Sequence, residues 1–480
     1  MNEYRLFIDG KWVASSSGKK SISYNPYSGD SFAVIHSGSE SDINTAIESS
    51  HRAFKNWSKS LPQVREDVFI NAARIIEESN EELLRILIEE SGSTHVKAGF
   101  ELYMTSSCLK GMAGECRRIG GQTFISESEG VRSYSIRQPL GVVAAISPFN
   151  FPLLLAVRKI GWAIAAGNCV VLKPSEVTPV IALKLAEILK HAGLPDGVLN
   201  VVPAEAEDIG DSLVGHPKVK KITFTGSTSV GRRIAKKSAG LLKKFTLELG
   251  GKNPLIVLKD ADVDYAVDVA AFSNFIHQGQ VCMTGSRIIV EKELYDEFCA
   301  KLTEKVKLLK VGDPRDPEVI IGPLIRPSQI EFIKQLVEQS VASGAKLLIG
   351  GESSGNCFHP TVLSDVTPLM PVFCDECFGP VAAVIKAENH EHALELANDS
   401  EYGLTAAVIT NDLQKSYEIA EALQTGMVHI NGPTIRDEAV VPFGGVKDSG
   451  FGREGGQFAI EGFTELKWIT VQLGQQKFPF

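Results

Sequence analysis

Between positions 141 and 251 the chain alternates short apolar runs with stretches that repeat apolar residues at helical spacing. The apolar runs cover residues 142–146, 169–172, 199–202, 222–225 and 245–249. Strands that are apolar on both faces are typical of parallel sheets covered by helices on either side. The pattern therefore predicts a doubly wound α/β sheet.

A second alternation of the same kind begins at residue 254. Its apolar runs cover residues 254–258, 287–290, 346–349, 381–385, 405–409 and 427–430, and they predict another α/β unit. Near the start of the chain, residues 4–13 surround the turn-forming pair Asp9 and Gly10, which predicts a hairpin. Residues 41–57, 63–79 and 81–90 have helical periodicity, with Ser41 and Asn80 as the expected N-caps.

Two segments alternate as strands do but have no partner nearby in sequence. They are residues 120–137 and residues 464–473. We expect these segments to pair with each other or with another subunit, because an unpaired strand edge is a liability.

The composition is that of an ordinary globular protein, with 480 residues and 44% hydrophobic side chains, enough for two or more cores. The formal net charge of −9 is spread along the chain, which argues against nucleic acid as a partner. Apolar runs fall short of the roughly 18 to 20 residues that span a bilayer, and acidic Glu3 is unlike a signal peptide. We therefore expect a cytoplasmic protein with no membrane contact.

Eight cysteines fit a reducing compartment, where most cysteines are small buried side chains. Cys374 and Cys377 have CxxC spacing, but they lack a second ligand pair and the context of a redox motif. We predict no metal site. Cys282 differs from the others because glycine and polar residues interrupt the apolar segment around it, as an exposed nucleophile requires. A buried structural thiol is the alternative.

Several polar residues follow predicted strands of the first sheet, where parallel sheets bind ligands. Gly226 and Ser227 open a helix whose backbone N–H groups can bind a phosphate, although a glycine turn without a ligand has the same pattern. Lys173 and Glu176 end another strand and suit ribose hydroxyls, unless they are only solvated charges.

Two further residues at strand ends suit acyl chemistry. Glu248 stands beside two glycines as a candidate general base, although an exposed cap is equally consistent with its position. Asn150 lies between prolines after the first strand, where its amide can donate to an oxyanion or simply belong to a turn.

Taken together and in order, these segments resemble the aldehyde dehydrogenase superfamily over essentially the whole chain. The matching motifs are Pro148-Phe-Asn-Phe-Pro, Lys173-Pro-Ser-Glu, Phe224-Thr-Gly-Ser, Glu248-Leu-Gly-Gly-Lys, Gly279-Gln-Val-Cys, Glu376-Cys-Phe-Gly-Pro and Pro442-Phe-Gly-Gly-Val-Lys-Asp-Ser-Gly.

The resemblance implies that an aldehyde is oxidised to a carboxylate through a thioester on Cys282. Asn150 and the backbone N–H of Cys282 would stabilise the oxyanion, and Glu248 would activate the water that hydrolyses the thioester. The residues implied to bind NAD(P) are Ser147, Pro148, Phe149, Lys173, Ser175, Glu176, Gly226, Ser227, Leu249, Glu376 and Phe378.

We expect NAD to be preferred and NADP to be tolerated. Glu176 can accept a hydrogen bond from the ribose 2′-OH and should repel a 2′-phosphate, while Lys173 and Ser175 soften that repulsion.

Two departures from the family pattern are Phe149, where Trp is common, and His277, where Asn is common. His277-Gln-Gly-Gln and Asn431-Gly-Pro-Thr resemble the benzaldehyde, vanillin and salicylaldehyde dehydrogenase branch, although Arg436 replaces a more familiar His. An aromatic aldehyde is therefore the expected substrate, with succinic semialdehyde or an aliphatic aldehyde as the alternative. The expected pocket residues are Phe151, Leu155, Ile276, Met283, Ile435 and Phe443, together with Arg158 and Arg436, which either face the substrate or form structural ion pairs.

By the same resemblance, residues 1–118 and 140–250 form an NAD(P)-binding domain and residues 251–447 a catalytic domain. Residues 119–139 and 462–480 form a small β element for assembly into a homodimer or homotetramer. Acylating, coenzyme A-dependent relatives and acyl-phosphate reductases need no hydrolytic base, so Glu248 counts against them. A non-catalytic binding protein would not require Asn150, Glu248 and Cys282 together.

Overall fold

The computed structural model describes residues 2–480 and arranges their strands in six sheets. In chain order the strands are β1 (Asn2–Tyr4), β2 (Leu6–Ile8), β3 (Lys11–Val13), β4 (Lys20–Tyr24), β5 (Ser31–His36), β6 (Thr123–Phe124), β7 (Val131–Pro139), β8 (Val142–Ile146), β9 (Cys169–Lys173), β10 (Leu199–Val201), β11 (Val219–Thr225), β12 (Lys244–Glu248) and β13 (Pro254–Val257). They continue with β14 (Arg287–Glu291), β15 (Lys346–Ile349), β16 (Ser353–Ser354), β17 (Cys357–Phe358), β18 (Thr361–Ser364), β19 (Val381–Ala387), β20 (Tyr402–Gly403), β21 (Thr405–Ile409), β22 (Met427–Ile430), β23 (Val446–Lys447), β24 (Gly450–Phe451) and β25 (Thr464–Gln472).

Helices connect and cover these strands. They are α1 (Glu40–Trp57), α2 (Pro62–Glu78), α3 (Asn80–Ser91), α4 (His95–Cys116), α5 (Pro152–Ala165), α6 (Pro179–His191), α7 (Ala206–Ile209), α8 (Thr228–Gly240), α9 (Val263–Phe275), α10 (Lys292–Lys307), α11 (Pro327–Ala342), α12 (Pro371–Cys374), α13 (His390–Asn398), α14 (Leu413–Ala422) and α15 (Gly456–Gly462). Several begin with proline, whose fixed φ suits the first helical position and whose missing N–H would be unpaired there anyway.

The first sheet has the strand order β24-β12-β11-β8-β9-β10-β2-β3. Its five central strands are the five predicted from the first alternation, and they pair in parallel. Val143 and Ala145 of β8 pack in one apolar cluster, whereas Val142 and Ala144 pack in another, so both faces are covered. The doubly wound α/β fold is confirmed. The strand order changes direction at β8, because β9 and β10 extend the sheet to one side and β11 and β12 extend it to the other. Such sheets bind ligands at this point.

The second sheet has the order β15-β18-β19-β14-β13-β21-β22 and contains all six strands predicted from the second alternation. Leu255 and Ile256 of β13 point into different apolar clusters, so this sheet is also covered on both faces. Strand β18 is an addition that the sequence does not predict, because only Val362 and Leu363 in it are apolar.

The two strand-like segments without sequence neighbours pair with each other. Strand β25 lies antiparallel to β7 from the Thr464–Pro139 pair to the Gln472–Val131 pair, and β6 lies on the other side of β7. Leu466 and Trp468 of β25 have exposed side chains. This small sheet thus joins the end of the chain to the segment before β8.

The predicted N-caps are wrong in both helices. Ser39, rather than Ser41, caps α1, because Ser39 and Asp42 form a reciprocal capping box that the spacing of Ser41 cannot provide. Asn80 is the first residue of α3 rather than its cap, since the break from α2 falls at Ser79.

The predicted hairpin around Asp9 and Gly10 is present as β2 and β3. Both turn residues have positive φ, 52° and 70°, as a two-residue hairpin turn requires. Across residues 2–480, no helix combines the length and the apolar character needed to cross a membrane.

Candidate active site

Cys282 follows a reversal of the chain after α9. His277 and Gln278 have positive φ values of 51° and 55°, and they turn the chain back before Cys282, which is half-buried. Asn253 fixes the turn because its Nδ2 donates to the Cys282 carbonyl at 2.8 Å. Gly251 has to be glycine here, since a Cβ would lie 2.4 Å from that carbonyl oxygen. The thiol is therefore carried by a rigid turn.

Asn150 lies beside this turn, at the loop that follows β8. Its side chain is buried, and Nδ2 donates to the carbonyl of Gln280 at 2.9 Å. A side-chain amide has two N–H groups, so this bond orients the second one for another acceptor. The structure thus brings the amide of Asn150 to the segment that carries Cys282, as an oxyanion donor requires.

Glu248, at the end of β12, has an unusual environment for a carboxylate. Its side chain is buried, and neither oxygen hydrogen-bonds to any part of the chain that the structure describes. Burial, with a smaller contribution from the charge of Glu454, raises the pKa of Glu248 well above its ordinary value. A carboxylate with a raised pKa is a stronger base near neutral pH.

Glu248 and Cys282 interact electrostatically. Burial raises the pKa of the Cys282 thiol, and the negative charge of Glu248 is the next largest cause. Both effects favour the neutral thiol over the thiolate. Glu248 is thus near enough to Cys282 for its charge to affect the thiol.

A cavity of about 510 Å³ opens at the carboxyl ends of β8, β9 and β11. It is lined by eight of the residues predicted to bind the cofactor, namely Ser147, Pro148, Phe149, Lys173, Ser175, Glu176, Gly226 and Ser227. Lys173 Nζ and Glu176 Oε1 are 2.6 Å apart, and Ser227 precedes the first turn of α8. Free N–H groups at a helix start, hydroxyls and a paired charge fit a dinucleotide.

The other three predicted cofactor residues connect this cavity with the Cys282 turn. The rings of Phe149 and Phe378 meet edge to face with centroids 5.8 Å apart. Glu376 Oε1 accepts a hydrogen bond from the backbone N–H of Gly251 at 2.9 Å, and burial raises the pKa of Glu376 to about 7. Leu249 packs on Gly231 at the start of α8, where a Cβ would lie 2.5 Å from the leucine side chain.

The predicted apolar pocket residues share one cluster with the thiol. Phe151, Met283, Ile435 and Phe443 are buried in it, and Leu155, Ile276 and Cys282 pack against it half-buried. Three separate segments of the chain contribute these side chains: the start of α5, the Cys282 turn and the loop after β22. The Cys282 side chain thus packs against the same apolar core as these residues.

The two predicted arginines lie in different environments. Arg158 is fully buried; its Nη2 is 2.6 Å from Asp437 Oδ1, and its guanidinium carbon lies 5.2 Å from the centroid of the Phe443 ring. The Nε and Nη1 atoms of Arg158 have no hydrogen-bond partner among residues 2–480. Arg436 is largely exposed and lies 3.4 Å from Glu438.

Sequence reasoning does not find three of the groups that shape this site. Gln280 acts through its backbone carbonyl, which a side-chain motif does not reveal. Asp437 neutralises Arg158 from a distant part of the chain. Glu454 forms a buried ion pair with Lys159 and adds negative charge near Glu248. The last two interactions depend on tertiary packing and have no local signal.

Known proteins resemble this chain along its whole length. The aldehyde dehydrogenase family model matches residues 12–469. The benzaldehyde dehydrogenase YfmT of Bacillus subtilis is 41% identical over 477 residues, covering 99% of this chain and 98% of that protein. A probable succinate-semialdehyde dehydrogenase [NADP(+)] of Sinorhizobium fredii is 41% identical over 452 residues, covering 93% and 92%.

Two solved structures have nearly the same fold. A salicylaldehyde dehydrogenase from Pseudomonas putida G7, complexed with salicylaldehyde, superimposes with a TM-score of 0.98 at 35% identity, covering 100% of both chains. A betaine aldehyde dehydrogenase from Staphylococcus aureus, in complex with NAD+, superimposes with a TM-score of 0.96 at 34% identity, covering 99% of this chain and 95% of the other.

The family match spans far more than half of the chain, the relatives exceed 30% identity over nearly full length, and the predicted fold is the observed one. The expectation drawn from the sequence motifs is confirmed: this chain belongs to the aldehyde dehydrogenase family and is an oxidoreductase that acts on an aldehyde with a nicotinamide cofactor.

Proposed function

We propose that this enzyme oxidises aromatic aldehydes of the benzaldehyde type to carboxylic acids through a thioester on Cys282. The observation that carries this proposal is that the Cys282 side chain packs against the apolar core that contains Phe151 and Phe443. A flat ring buries a large apolar area and contacts aromatic walls favourably. Relatives that resemble the chain over its full length carry the names of benzaldehyde and salicylaldehyde dehydrogenases.

In the proposed reaction the sulfur of Cys282 adds to the aldehyde carbon, and the carbonyl oxygen becomes an oxyanion. Asn150 donates its second amide N–H to that oxygen, because its first is held by Gln280. The thiol proton leaves to solvent, and Glu248 later accepts a proton from the water that attacks the thioester. A hydride leaves the former aldehyde carbon as the thioester forms and would require a bound nicotinamide as its acceptor, so the products are the carboxylic acid, the regenerated thiol and the reduced cofactor.

The cofactor cavity and its continuation fit an extended dinucleotide. Lys173 and Glu176 would hold the adenosine ribose, Ser227 the pyrophosphate, and Glu376 the nicotinamide ribose, beside Phe378. When bound, the nicotinamide ring supplies the hydride acceptor of the reaction.

We further propose that Glu176 sets a preference for NAD over NADP. It pairs with Lys173, so that lysine is not a free cation for a 2′-phosphate, and Lys237 of the same cavity pairs with Asp211 at 2.8 Å. We expect kcat/KM to be at least about tenfold higher with NAD, because the Glu176 carboxylate repels a phosphate even though Lys173 offsets part of its charge.

The Glu176→Gln variant is the matched test of this preference, since it keeps the shape and removes the charge. Its NAD to NADP ratio should fall severalfold, measured as kcat/KM with benzaldehyde held constant. A wild-type enzyme that is faster with NADP contradicts the preference and leaves the dehydrogenase activity intact.

Arg158 bears on the choice between an aromatic aldehyde and succinic semialdehyde. A free buried cation would bind the distal carboxylate of a semialdehyde, but Asp437 already neutralises Arg158 at 2.6 Å. Arg436 is exposed and lies near Glu438, so we leave it outside the proposed pocket. The remaining N–H groups of Arg158 suit a neutral oxygen substituent better than a carboxylate.

We expect benzaldehyde and its hydroxylated derivatives to be oxidised with a kcat/KM at least about tenfold above that of succinic semialdehyde. Burying even a neutral polar group without a partner costs about one to three kcal/mol, and an unpaired carboxylate in an apolar slot costs more. The measurement is kcat/KM for each aldehyde of a panel at a fixed NAD concentration, with the rate of NADH formation read from its absorbance.

The Asp437→Asn variant is the control for this substrate panel. It leaves Arg158 with an uncompensated charge, and its relative efficiency with succinic semialdehyde should rise. If the wild-type enzyme prefers succinic semialdehyde or a straight-chain aldehyde, the aromatic assignment is wrong and the second candidate, a semialdehyde dehydrogenase, takes its place.

The division into domains and the assembly of subunits follow from the same family resemblance. We propose an NAD(P)-binding domain of residues 1–118 and 140–250, a catalytic domain of residues 251–447, and an oligomerisation element of residues 119–139 and 462–480, which contain β7 and β25. The exposed Leu466 and Trp468 support its contact with a second copy, in a homodimer or homotetramer. All eight cysteines are free thiols, which supports a cytoplasmic location.

A further inference from the structure

A buried carboxylate on α4 caps the helix that follows Asn150. Glu101 accepts hydrogen bonds from the backbone N–H groups of Leu153 at 2.8 Å and Leu154 at 3.1 Å, in the first turn of α5. The residue at the N-cap position is Phe151, whose hydrocarbon ring cannot accept these bonds. Glu101 therefore supplies from another helix what an N-cap serine or aspartate supplies locally.

Lys97, one helical turn before Glu101, holds that carboxylate in place. Lys97 Nζ is 2.5 Å from Glu101 Oε2, and both side chains are fully buried. The same ammonium donates to Ser93 Oγ at 2.9 Å and lies 4.5 Å from the centroid of the Phe151 ring. An exposed pair at this spacing would contribute little, but a buried pair is restrained by each of its partners. Lys97 thus contacts both the capping group and the aromatic residue next to Asn150.

Phe151 continues this set of contacts towards the reactive cysteine. Its ring meets the ring of His277 at a steep angle of 66°, with centroids 5.5 Å apart. His277 opens the reversal that leads to Gln280, and the Gln280 carbonyl accepts the hydrogen bond from Asn150. Asn150 is therefore fixed from two sides: by the capped start of α5 and by the turn that carries Cys282.

We propose that Lys97 and Glu101 are positioning residues for Asn150, the donor to the oxyanion. Neither residue belongs to the proposed catalytic group, and both act by fixing the first turn of α5 and the ring of Phe151. A small displacement of an oxyanion donor is costly, because the hydrogen bond must reach the charge as it develops. The inference rests on the proposed role of Asn150 and Cys282, and its experiment separates the two.

The experiment follows acylation of the protein by p-nitrophenyl acetate, read as release of p-nitrophenolate. This reaction needs no dinucleotide, and the thiol attacks a carbonyl whose oxygen needs the same donor. We expect the Glu101→Gln variant to be acylated about tenfold more slowly, because a neutral amide caps the helix more weakly than a carboxylate. Its affinity for NADH, measured by fluorescence, should stay within twofold of the wild type.

Glu90 provides a matched control on the neighbouring helix. It is buried on α3 and accepts hydrogen bonds from the N–H groups of Val180 at 2.8 Å and Ile181 at 3.1 Å, at the start of α6. The Glu90→Gln variant removes the same kind of cap away from Asn150. Burial raises the pKa of Glu90 to about 8, so this variant replaces a carboxyl that is largely uncharged near neutral pH. The rate of ester acylation should stay within twofold of the wild type.

The double variant Lys97→Met with Glu101→Gln separates stability from positioning. It removes the unpaired ammonium that Glu101→Gln leaves behind, so its unfolding temperature should recover while acylation remains about tenfold slow. Acylation within twofold of the wild type in the double variant, or in a folded Glu101→Gln variant, overturns the inference. If the Cys282→Ala variant releases p-nitrophenolate as fast as the wild type, the proposed nucleophile is wrong instead.

Discussion

Replacing Cys282 with serine should reduce the oxidation of benzaldehyde by at least about a thousandfold. The hydroxyl has almost the shape of the thiol, but it is far less acidic and a poorer nucleophile near neutral pH. Burial and Glu248 already oppose ionisation of the thiol at this position, so a hydroxyl there stays protonated. Turnover is measured as NADH formation with benzaldehyde as the substrate.

Two measurements show that such a loss is chemical. The Cys282→Ser variant should bind NADH with wild-type affinity, since Cys282 lies on its own turn and the cofactor cavity is lined by other residues. The Cys299→Ala variant is the matched thiol control, because Cys299 is buried on α10 in a different apolar cluster. It should keep most of the wild-type rate. A Cys282→Ser enzyme that does so too would falsify the thioester mechanism.

Replacing Glu248 with glutamine should leave a burst of NADH followed by turnover at least about a hundredfold slower than wild type. Addition of the thiol to the aldehyde can still proceed, but a glutamine amide cannot accept the proton of the attacking water. Rapid mixing with excess benzaldehyde measures both phases. A steady-state rate equal to that of the wild type would mean that another group is the base.

The raised pKa of Glu248 gives the same experiment a pH dependence. The base works only when it is deprotonated, so wild-type deacylation should rise with pH through a midpoint well above 4.5, the ordinary value for this carboxyl. The Glu248→Gln variant should not show this rise. A midpoint near 4.5 would contradict the burial effect.

As pH rises, the stability of the wild-type protein should fall while its deacylation rate increases. The folded protein holds the Glu248 proton more tightly than the unfolded chain, so the stabilising contribution is fully present below about pH 4.5 and is lost as pH rises towards the folded pKa. Glutamine does not ionise, so the Glu248→Gln variant does not lose stability in this way. Thermal unfolding of Glu248→Gln should therefore match the wild type at low pH and occur at a higher temperature at pH 8, which excludes unfolding as the cause of slow turnover.

The strands of the two large sheets are predictable from sequence because each is a continuous apolar run with helices between them. Val142 and Val143 face opposite sides of the sheet, yet both are buried, so the run carries the signal without any alternation. Strand β18 contains only two apolar residues, and strand β24 has two residues in all, so neither carries such a signal. The N-cap of α1 is hard to predict for a different reason. Both Ser39 and Ser41 are suitable cap residues, and only Asp42, three residues after Ser39, distinguishes the true cap.

The candidate site divides in the same way. Asn150, Glu248 and Cys282 each stand beside glycine or proline at the end of an apolar run, and that contrast is visible in sequence. Lys97 and Glu101, by contrast, have the spacing of an ordinary exposed ion pair on a helix. Only the packing of α4 against α5 shows that they are buried, and no local pattern distinguishes the two cases.

The pairing of β24, Gly450–Phe451, with the first sheet has a consequence for synthesis on the ribosome. Strand β12, which ends in Glu248, has β11 on one side and receives β24 on the other, and Gly444 closes against the Glu248 carboxylate. Every one of these later contacts comes from residues beyond position 440, and β25 follows them onto β7. A nascent chain can build most of both sheets as it emerges, since their strands are close in sequence. The proposed general base acquires its buried surroundings only after residues 441–451 have been translated, so a chain terminated before them exposes the edge of β12 and leaves Glu248 without these contacts.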